Sequence, residues 1–299
     1  MPEAAMPGKV PNSARFLDIS DYARPLAVAL AHALKPSRVT APWVTGAWFV
    51  IGLAAALCYA KGGAAYALVG ALGMQAKNVL DAVDGSLARL QNRPSRIGRF
   101  LDSNADALIA AAVCAALGVA VGRHRPATYS AILAVMALLS GLLQASLYNY
   151  YYVRYRARRG GDTTSRVEES LTGEDRLRYG GRPAALALLS ALIAGYRWIY
   201  GWQDALVQRV DDWAARPLAS RGRLAEAEGM RDARVLLTAI SVLGPGTQIL
   251  ALNLYTLFGL WRLSHALELY LLTVAVGGSL YAAAVVLCLR QAAARRARV

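Results

Sequence analysis

The chain has 299 residues, of which 56% are hydrophobic and only 17% are charged, and its mean hydropathy is positive. Soluble domains carry about 25% charged residues, and disordered chains combine low hydrophobicity with high net charge, so both classes are excluded. The net charge of +14 therefore belongs to a membrane protein, in which basic residues face anionic lipid headgroups or phosphorylated substrates and not nucleic acid. The sequence predicts an all-α, polytopic membrane protein.

Cysteine and histidine give no support to a redox or zinc site. The three cysteines each lie inside an apolar stretch without a CxxC pair, and the three histidines are scattered along the chain. Residues 1–15 lack the apolar core of a cleavable signal peptide. We therefore expect the first spanning helix to act as its own insertion signal.

The N-terminal segment, residues 1–41, precedes the first apolar run. Within it, residues 17–34 have the pattern of an amphipathic helix that Arg24 and Pro25 interrupt. We expect this helix to lie on the cytoplasmic surface and to stabilise the membrane boundary. Direct contact with substrate is the alternative.

Six apolar runs are long enough to span a membrane, which takes about 20 residues. They are residues 42–60, 64–87, 100–121, 128–150, 235–257 and 266–289. The chain thus divides into the N-terminal segment, a block of four spans at 42–150, an insert at 151–234, and a block of two spans with a basic tail at 235–299.

Positive charge fixes the predicted orientation. With the N-terminus inside, 28 Lys and Arg residues fall on the cytoplasmic side and four on the other side. We therefore expect both termini to face the cytoplasm.

The insert contains one ambiguous apolar run, residues 184–196, which is short for a span. Extending it would bury Arg197 and Asp204 at a substantial cost. We predict that residues 183–215 form a helix in or near the membrane interface, and a re-entrant helix is the alternative. Its expected anchors are Trp198, Trp202 and Trp213.

Polar residues at fixed spacing lie where the second predicted span ends and the third begins. In the first group, Asp81, Asp84, Gly85 and Ala88 share one helical face, and the basic residue Arg89 follows them. The second group is spaced by four residues: Gly98, Asp102 and Asp106. The connection at residues 91–97 is short enough to make the two helices antiparallel neighbours, so two carboxylates from each helix converge.

Four carboxylates at membrane depth repel one another and lose hydration, which marks them as functional candidates. Oxygen ligands suit hard ions such as Mg²⁺ or Mn²⁺, and four carboxylates can hold two ions about 4 Å apart around a phosphoryl group. Gly85 and Gly98 let a pyrophosphate approach the backbone, and Arg89 offers a charged fork to a phosphate. The spacing therefore predicts a site for phosphoryl chemistry with two divalent ions.

The pattern Asp-x2-Asp-Gly-x2-Ala-Arg-x8-Gly-x3-Asp-x3-Asp at residues 81–106 resembles the signature of the CDP-alcohol phosphatidyltransferase family, which are integral-membrane phospholipid synthases. Every signature position is matched. The six-span layout and the element Pro36-Ser-Arg-Val-Thr40 before the first span are also similar to that family. The resemblance covers about residues 35–147, and the insert is longer than the family pattern predicts.

The resemblance implies a transferase that moves a substituted phosphate from a CDP-linked donor to an alcohol and releases CMP. It assigns metal binding to Asp81, Asp84, Asp102 and Asp106, with Asp106 also taking the proton of the acceptor hydroxyl. It assigns the cytidine diphosphate pocket to Gly85, Ala88, Arg89 and Gly98. It further implies a homodimer surrounded by membrane lipids, in a bacterial inner membrane, with its active site facing the cytoplasm.

Three alternatives stay open from the sequence. The favoured donor is CDP-diacylglycerol with a water-soluble alcohol as acceptor, but a CDP-headgroup of the choline or ethanolamine type with a lipid alcohol fits the same motif. An ion-coupled transporter explains buried aspartates, although it gives no reason for the glycines or Arg89. An inactive lipid-binding relative is at odds with the intact signature.

Secondary candidates surround the signature. Lys77 lies one turn before Asp81, and we favour ion-pair support over substrate binding. The basic run Arg154, Arg156, Arg158 and Arg159 is attributed mainly to topology, with an acceptor phosphate site as the alternative. Gly244-Pro245-Gly246 is expected to kink the fifth span, and with Gln248 and Asn253 it is a candidate wall of the acceptor cavity.

Overall fold

A computed structural model describes residues 10–160 and 170–298, and these residues form helices and connecting turns without strands. The α-helices are α1 Arg24–Leu34, α2 Ala41–Lys61, α3 Ala64–Leu90, α4 Arg96–Gly122, α5 Ala127–Arg158, α6 Gly173–Tyr179, α7 Pro183–Ala219, α8 Leu224–Arg231, α9 Arg234–Ser241, α10 Pro245–Phe258, α11 Leu263–Leu272 and α12 Ser279–Arg298. A π-helical turn, Thr273–Gly278, joins α11 to α12.

Helices α2, α3, α4, α5, α10 and α11–α12 pack into a bundle with an alanine-rich core. Small side chains let the backbones approach closely, which is how membrane helices associate in the absence of a hydrophobic driving force. The short turn between α3 and α4 keeps the end of α3 and the start of α4 at one end of the bundle, where both helices pack against α2. We call this end of the bundle the aspartate end, because Asp81, Asp84, Asp102 and Asp106 lie there.

By length and composition five helices can cross a membrane, or six when α9 and α10 count as one span. This number agrees with the predicted six, but the members differ. Helix α7 passes these criteria, whereas α3 does not, because its second half carries ionisable side chains from Lys77 to Arg89.

The fifth predicted span is broken. Helices α9 and α10 meet at a 43° bend immediately before Gly244-Pro245-Gly246, so the predicted kink is confirmed. The break receives the N-terminal segment: Gly246 N–H donates to Ser20 Oγ at 3.0 Å, and Ile19 N–H donates to Ser241 Oγ at 3.0 Å.

Substitution of Gly246 by alanine is expected to destabilise the protein. A Cβ atom there would lie 1.9 Å from the backbone oxygen of Ser20, which cannot move without displacing the N-terminal segment. Overpacking of this kind costs about 1–3 kcal/mol. Thermal unfolding in detergent should show a clearly lower midpoint for Gly246→Ala.

The matched control is Gly46→Ala, because a Cβ on that α2 glycine meets nothing within 4 Å. Equal midpoints for the two variants would contradict this packing.

The N-terminal helix is shorter than predicted. Helix α1 begins at Arg24, and residues 17–22 contain only a 3-10 turn, Ile19–Asp21, whose cap is the Asp18 side chain accepting from Ser20 N–H. Pro25 occupies the first turn of α1, where a proline starts a helix and does not interrupt it. The prediction of one helix over residues 17–34 was therefore wrong at its N-terminal end.

Helix α7 is a continuous helix of 37 residues. Its hydrogen bonds to α4 involve Ser103 and Asn104, within the first three turns of that helix, and its hydrogen bonds to α5 involve residues 146–151 near the end of that helix. Near its own C-terminus it meets α12, where Arg290 donates to Trp213 O at 2.6 Å. Helix α7 thus crosses over the bundle at the aspartate end.

Candidate active site

A cavity of about 620 Å³ opens at the aspartate end. Its walls come from α2, α3, α4, the turn between α3 and α4, α5, α7, the start of α10 and the N-terminal segment. The cavity is lined by all eight signature residues predicted from the sequence: Asp81, Asp84, Gly85, Ala88, Arg89, Gly98, Asp102 and Asp106.

Three of the four aspartates converge. Carboxylate oxygens of Asp81, Asp102 and Asp106 lie within 4.8 Å of one another, which is close enough to share a metal ion. Asp81 is on α3, and the other two are one turn apart on α4. Both helices pack against α2 and not against each other, so the prediction that α3 and α4 are packed neighbours was wrong, although their carboxylates still converge. The oxygen Oδ1 of Asp102 is buried without a hydrogen-bond partner among the described residues. A buried carboxylate oxygen in this position is costly unless a cation compensates it.

The fourth aspartate, Asp84, faces α2. Its Oδ2 accepts hydrogen bonds from Thr45 Oγ1 at 2.7 Å and from Trp48 Nε1 at 2.8 Å. These bonds fix the carboxylate in one orientation at the cavity wall, outside the three-aspartate group. Neither Thr45 nor Trp48 was identified from the sequence, because both sit in an apolar run where a buried partner for a distant aspartate has no local signal.

Lys77 forms the electrostatic centre of this group. It is only 4% exposed, its Nζ lies 2.7 Å from Asp81 Oδ2, and it also contacts Asp106. The ammonium stands 4.6 Å from the centre of the Trp48 ring, which adds a cation–π contact. These contacts favour ion-pair support, the interpretation preferred from the sequence.

The glycine and arginine positions form the neighbouring wall. Ser95 caps α4 by accepting from Gly98 N–H at 3.0 Å, and a Cβ at Gly98 would lie 3.0 Å from that same oxygen. A Cβ at Gly85 would meet Arg89 Nη1 at 3.5 Å. The absence of side chains at these two glycines leaves backbone exposed to the cavity, as approach of a pyrophosphate requires.

A further part of the wall consists of residues outside the signature. Arg24 pairs with Asp21, with Nε 2.7 Å from Oδ2, and its Nη1 donates to Ser86 Oγ at 3.1 Å. From α5 come Asn149 and Arg156, and the latter is only 4% exposed. The wall is completed by Ser20, Tyr148, Tyr152, Pro245, Gly246 and Ile249. The kink in the fifth span therefore lines the cavity.

The basic run on α5 separates into two groups. Arg156 faces the cavity, with its guanidinium 5.7 Å from the Tyr152 ring. Arg154 and Arg158 instead contact Glu228 on α8. Of the polar residues near the kink, Gln248 donates to Gly141 O at 3.1 Å and Asn253 donates to Gln75 Oε1 at 3.1 Å, so both hold helices together.

Helix α7 adds a wall that the sequence did not predict. Tyr196 and Tyr200 line the cavity beside α4, and Tyr200 donates from its hydroxyl to Ser103 O at 3.3 Å. Arg99 stacks 5.3 Å from the Tyr196 ring centre. The two tyrosines are spaced by four residues, as neighbours on one helical face are, but nothing in the sequence relates that face to α4.

A family model described as CDP-alcohol phosphatidyltransferase matches residues 30–210. The match covers more than half of the chain and includes all the signature residues. The chain belongs to this family. It is therefore a membrane-embedded transferase of phospholipid synthesis that uses a CDP-alcohol donor and an alcohol acceptor. A search of the curated proteins finds no match.

Family membership favours a transferase over the transporter that the sequence left open. A transporter is not favoured, because the family consists of transferases and the cavity contains the glycine and Arg89 positions that a transport pathway leaves unexplained. Two parts of the cavity wall lie outside the matched residues 30–210: the part of the N-terminal segment that contains Ser20, Asp21 and Arg24, and the start of α10.

The aspartate group fits a divalent cation. It offers oxygen ligands only, which is the donor set of Mg²⁺ and Mn²⁺. The buried Oδ1 of Asp102 supplies a ligand atom that no hydrogen bond uses among the described residues. The family is generally metal-dependent, in agreement with this donor set.

Proposed function

We propose that the protein transfers a phosphatidyl group from CDP-diacylglycerol to a water-soluble alcohol and releases CMP. The observation that carries this proposal is the convergence of Asp81, Asp102 and Asp106 in one cavity with the glycine positions of the signature. Transfer onto an alcohol needs a place for the pyrophosphate, a place for the hydroxyl, and compensation of the charge between them.

Asp81, Asp102 and Asp106 would hold divalent ions, Mg²⁺ or Mn²⁺, and Asp84 would complete a pair of sites from the cavity wall. Bound cations would neutralise the negative charge that develops on the departing CMP. We assign the cytidine diphosphate to the wall formed by Gly85, Ala88, Arg89 and Gly98.

The acceptor oxygen attacks the phosphorus that carries the diacylglycerol, and the bond from that phosphorus to the CMP oxygen breaks. The hydroxyl proton passes to the Asp106 carboxylate, which faces the cavity. Lys77 contacts Asp106 and so restrains the position of its carboxylate. The base must lie within hydrogen-bond reach of the hydroxyl, so this role is tested by substitution at Asp106.

We place the acceptor at the wall formed by the N-terminal segment, α5 and the kink. Because this wall lines the same cavity as Asp106, an alcohol bound there is adjacent to the base. It offers charged and amide groups, including Arg24, Arg156 and Asn149, to a polar acceptor.

The variant Arg156→Ala is expected to raise the KM for the acceptor at least about tenfold, because a hydrogen bond to a charged group contributes about 1.5–3 kcal/mol. The KM for the CDP-linked donor should change much less. The matched control is Arg158→Ala two residues away, since Arg158 contacts Glu228 and does not line the cavity. Steady-state kinetics with each substrate varied in turn would measure both constants. An equal change in both KM values would contradict an acceptor role.

The donor and the acceptor are tested together with purified protein in detergent. CDP-diacylglycerol would be offered with glycerol 3-phosphate, serine, inositol and inositol phosphate, and the lipid product identified by mass spectrometry. In parallel, CDP-choline and CDP-ethanolamine would be offered with diacylglycerol. A phosphatidyl product with one soluble alcohol supports the proposal. Product only in the second arm would establish the reversed donor type in its place.

We further propose that the cavity opens to the cytoplasm, as the distribution of basic residues indicates, and that the protein resides in a bacterial inner membrane as a homodimer. Labelling of an introduced cysteine at Lys35 from each side of the membrane tests the orientation, and the mass of the detergent-solubilised particle tests the dimer.

A further inference from the structure

Helix α7 has three distinct faces along its length. The first packs against the bundle through residues spaced three or four apart, and it contains the two tyrosines of the cavity wall. Its members are Leu189, Ile193, Tyr196, Tyr200, Gln203, Val207, Asp211, Ala214 and Leu218.

The second face is polar. Its members follow one another at intervals of seven or four residues, so they form one strip beside the first face. They are Ser190, Arg197, Asp204, Gln208 and Asp212. Asp204 is partly buried and the other four side chains are exposed.

The third face is apolar and exposed. Trp198, which is 81% exposed, is followed by Trp202 and Leu206 at intervals of four, and Leu188 and Trp213 extend the strip in both directions. Two exposed arginines, Arg209 and Arg216, lie within this strip. Tryptophan and arginine together are typical of side chains that sit at lipid headgroups, where the ring is half-immersed and the guanidinium meets phosphate.

A helix with one face to protein, one to water and one to lipid fits the plane of a membrane interface. A helix that crosses the bilayer would expose the polar strip from Ser190 to Asp212 to hydrocarbon, where each charged residue near the centre is strongly unfavourable. The contacts of α7 with the first turns of α4 and the last turns of α5 also fit a helix lying across one end of the bundle.

We propose that α7 lies in the interface of an anionic bilayer and forms the membrane-side wall of the catalytic cavity. Its outer apolar face lies at the boundary of headgroups and acyl chains, while Tyr196 and Tyr200 on its inner face line the cavity. This inference rests on the proposed function in one respect only: the ligand that the rings of Tyr196 and Tyr200 contact is then a lipid-linked nucleotide.

This position links the bilayer to the signature residues. Asn104, between Asp102 and Asp106, donates to Leu192 O on α7 at 2.9 Å, and Phe100 packs edge-on against Tyr196 at 5.4 Å between ring centres. Anchoring of α7 in the interface therefore holds the first turns of α4, which carry the second half of the signature.

Single cysteines test the position of α7 in a background where Cys58, Cys114 and Cys288 are replaced by alanine. Ser190→Cys and Asp212→Cys report on the two ends of the polar strip, and Trp202→Cys reports on the apolar face. Reference sites on opposite ends of the bundle are Lys35→Cys and His124→Cys, both at exposed positions.

The protein is placed in vesicles containing phosphatidylglycerol, and a membrane-impermeant maleimide is applied to each side. A fluorophore at residue 202 is then exposed to spin-labelled lipids.

The proposal predicts that residues 190 and 212 react from the same side as residue 35, and that the fluorophore at residue 202 is quenched by lipids labelled near the headgroup. Reaction of residues 190 and 212 from opposite sides would establish a spanning helix and overturn the proposal. Rapid maleimide labelling at residue 202 without quenching would show a water-facing surface, and protection from both reagents would show a face covered by a second copy. Either result would also overturn it. None of these readings depends on catalytic activity.

Discussion

The variant Asp106→Asn is expected to lose turnover by about 10²- to 10⁴-fold, the range that a positioned general base contributes. Asparagine keeps the size of the side chain but cannot accept a proton at physiological pH. The rest of the cavity keeps its packing, including the wall of Gly85, Ala88, Arg89 and Gly98 to which the nucleotide is assigned. The protein should therefore fold and bind CDP-diacylglycerol with an affinity close to that of the unsubstituted protein. CMP release measures the first property, and the thermal shift on addition of donor measures the second.

The matched control for this variant is Asp212→Asn on α7, whose side chain is 67% exposed and lies outside the cavity. It should leave turnover unchanged. Near-normal turnover of Asp106→Asn would remove the general-base assignment. Loss of both turnover and donor binding would instead identify Asp106 as a residue whose main role is to hold the site together.

Replacement of Lys77 by methionine is expected to produce the largest loss of stability in the absence of divalent ions. Methionine keeps the length of the side chain but leaves Asp81 and Asp106 without their shared cation. Removal of one partner from a buried ion pair costs about 3–5 kcal/mol. Divalent ions at the aspartates bind the folded protein and not the unfolded chain, so they should restore much of this loss.

Thermal unfolding in EDTA and in saturating Mg²⁺ or Mn²⁺ measures this effect. The difference between the two midpoints should be clearly larger for Lys77→Met than for the parent protein. The matched control is Lys61→Met at the opposite end of the bundle, where the lysine is exposed over the Tyr66 ring and should contribute little. A midpoint for Lys77→Met in EDTA equal to that of the parent would contradict the role of Lys77 as counter-ion.

The sequence predicted those parts of the site that depend on local spacing. Asp81, Asp84, Gly85 and Ala88 all line the cavity because an α-helix repeats every 3.6 residues, and the short connection at residues 91–97 keeps the start of α4 at the same end of the bundle. The sequence did not show that α2 packs against both helices. The kink at Pro245 followed from the same kind of local rule, since a proline removes a helical hydrogen bond.

The remaining features depend on contacts between residues that are distant in the chain. Thr45 and Trp48 bind Asp84 across 36 or more positions, and Ser20 enters the break before α10 across 226 positions. Local rules contain no information about such pairings. The N-terminal helix was overextended because Pro25 was interpreted as an interruption, whereas its place in the first turn makes it a start signal.

The most direct test of the account is the dependence of CMP release on divalent ions. Protein stripped with EDTA would be given CDP-diacylglycerol and its acceptor, and Mg²⁺ or Mn²⁺ would be titrated in, with Asp106→Asn as the blank. We expect no CMP without metal, a saturable rise with metal, and almost no CMP from the variant at any metal concentration. Equal CMP release with and without divalent ions would contradict the assignment of the aspartates as a metal site for phosphatidyl transfer.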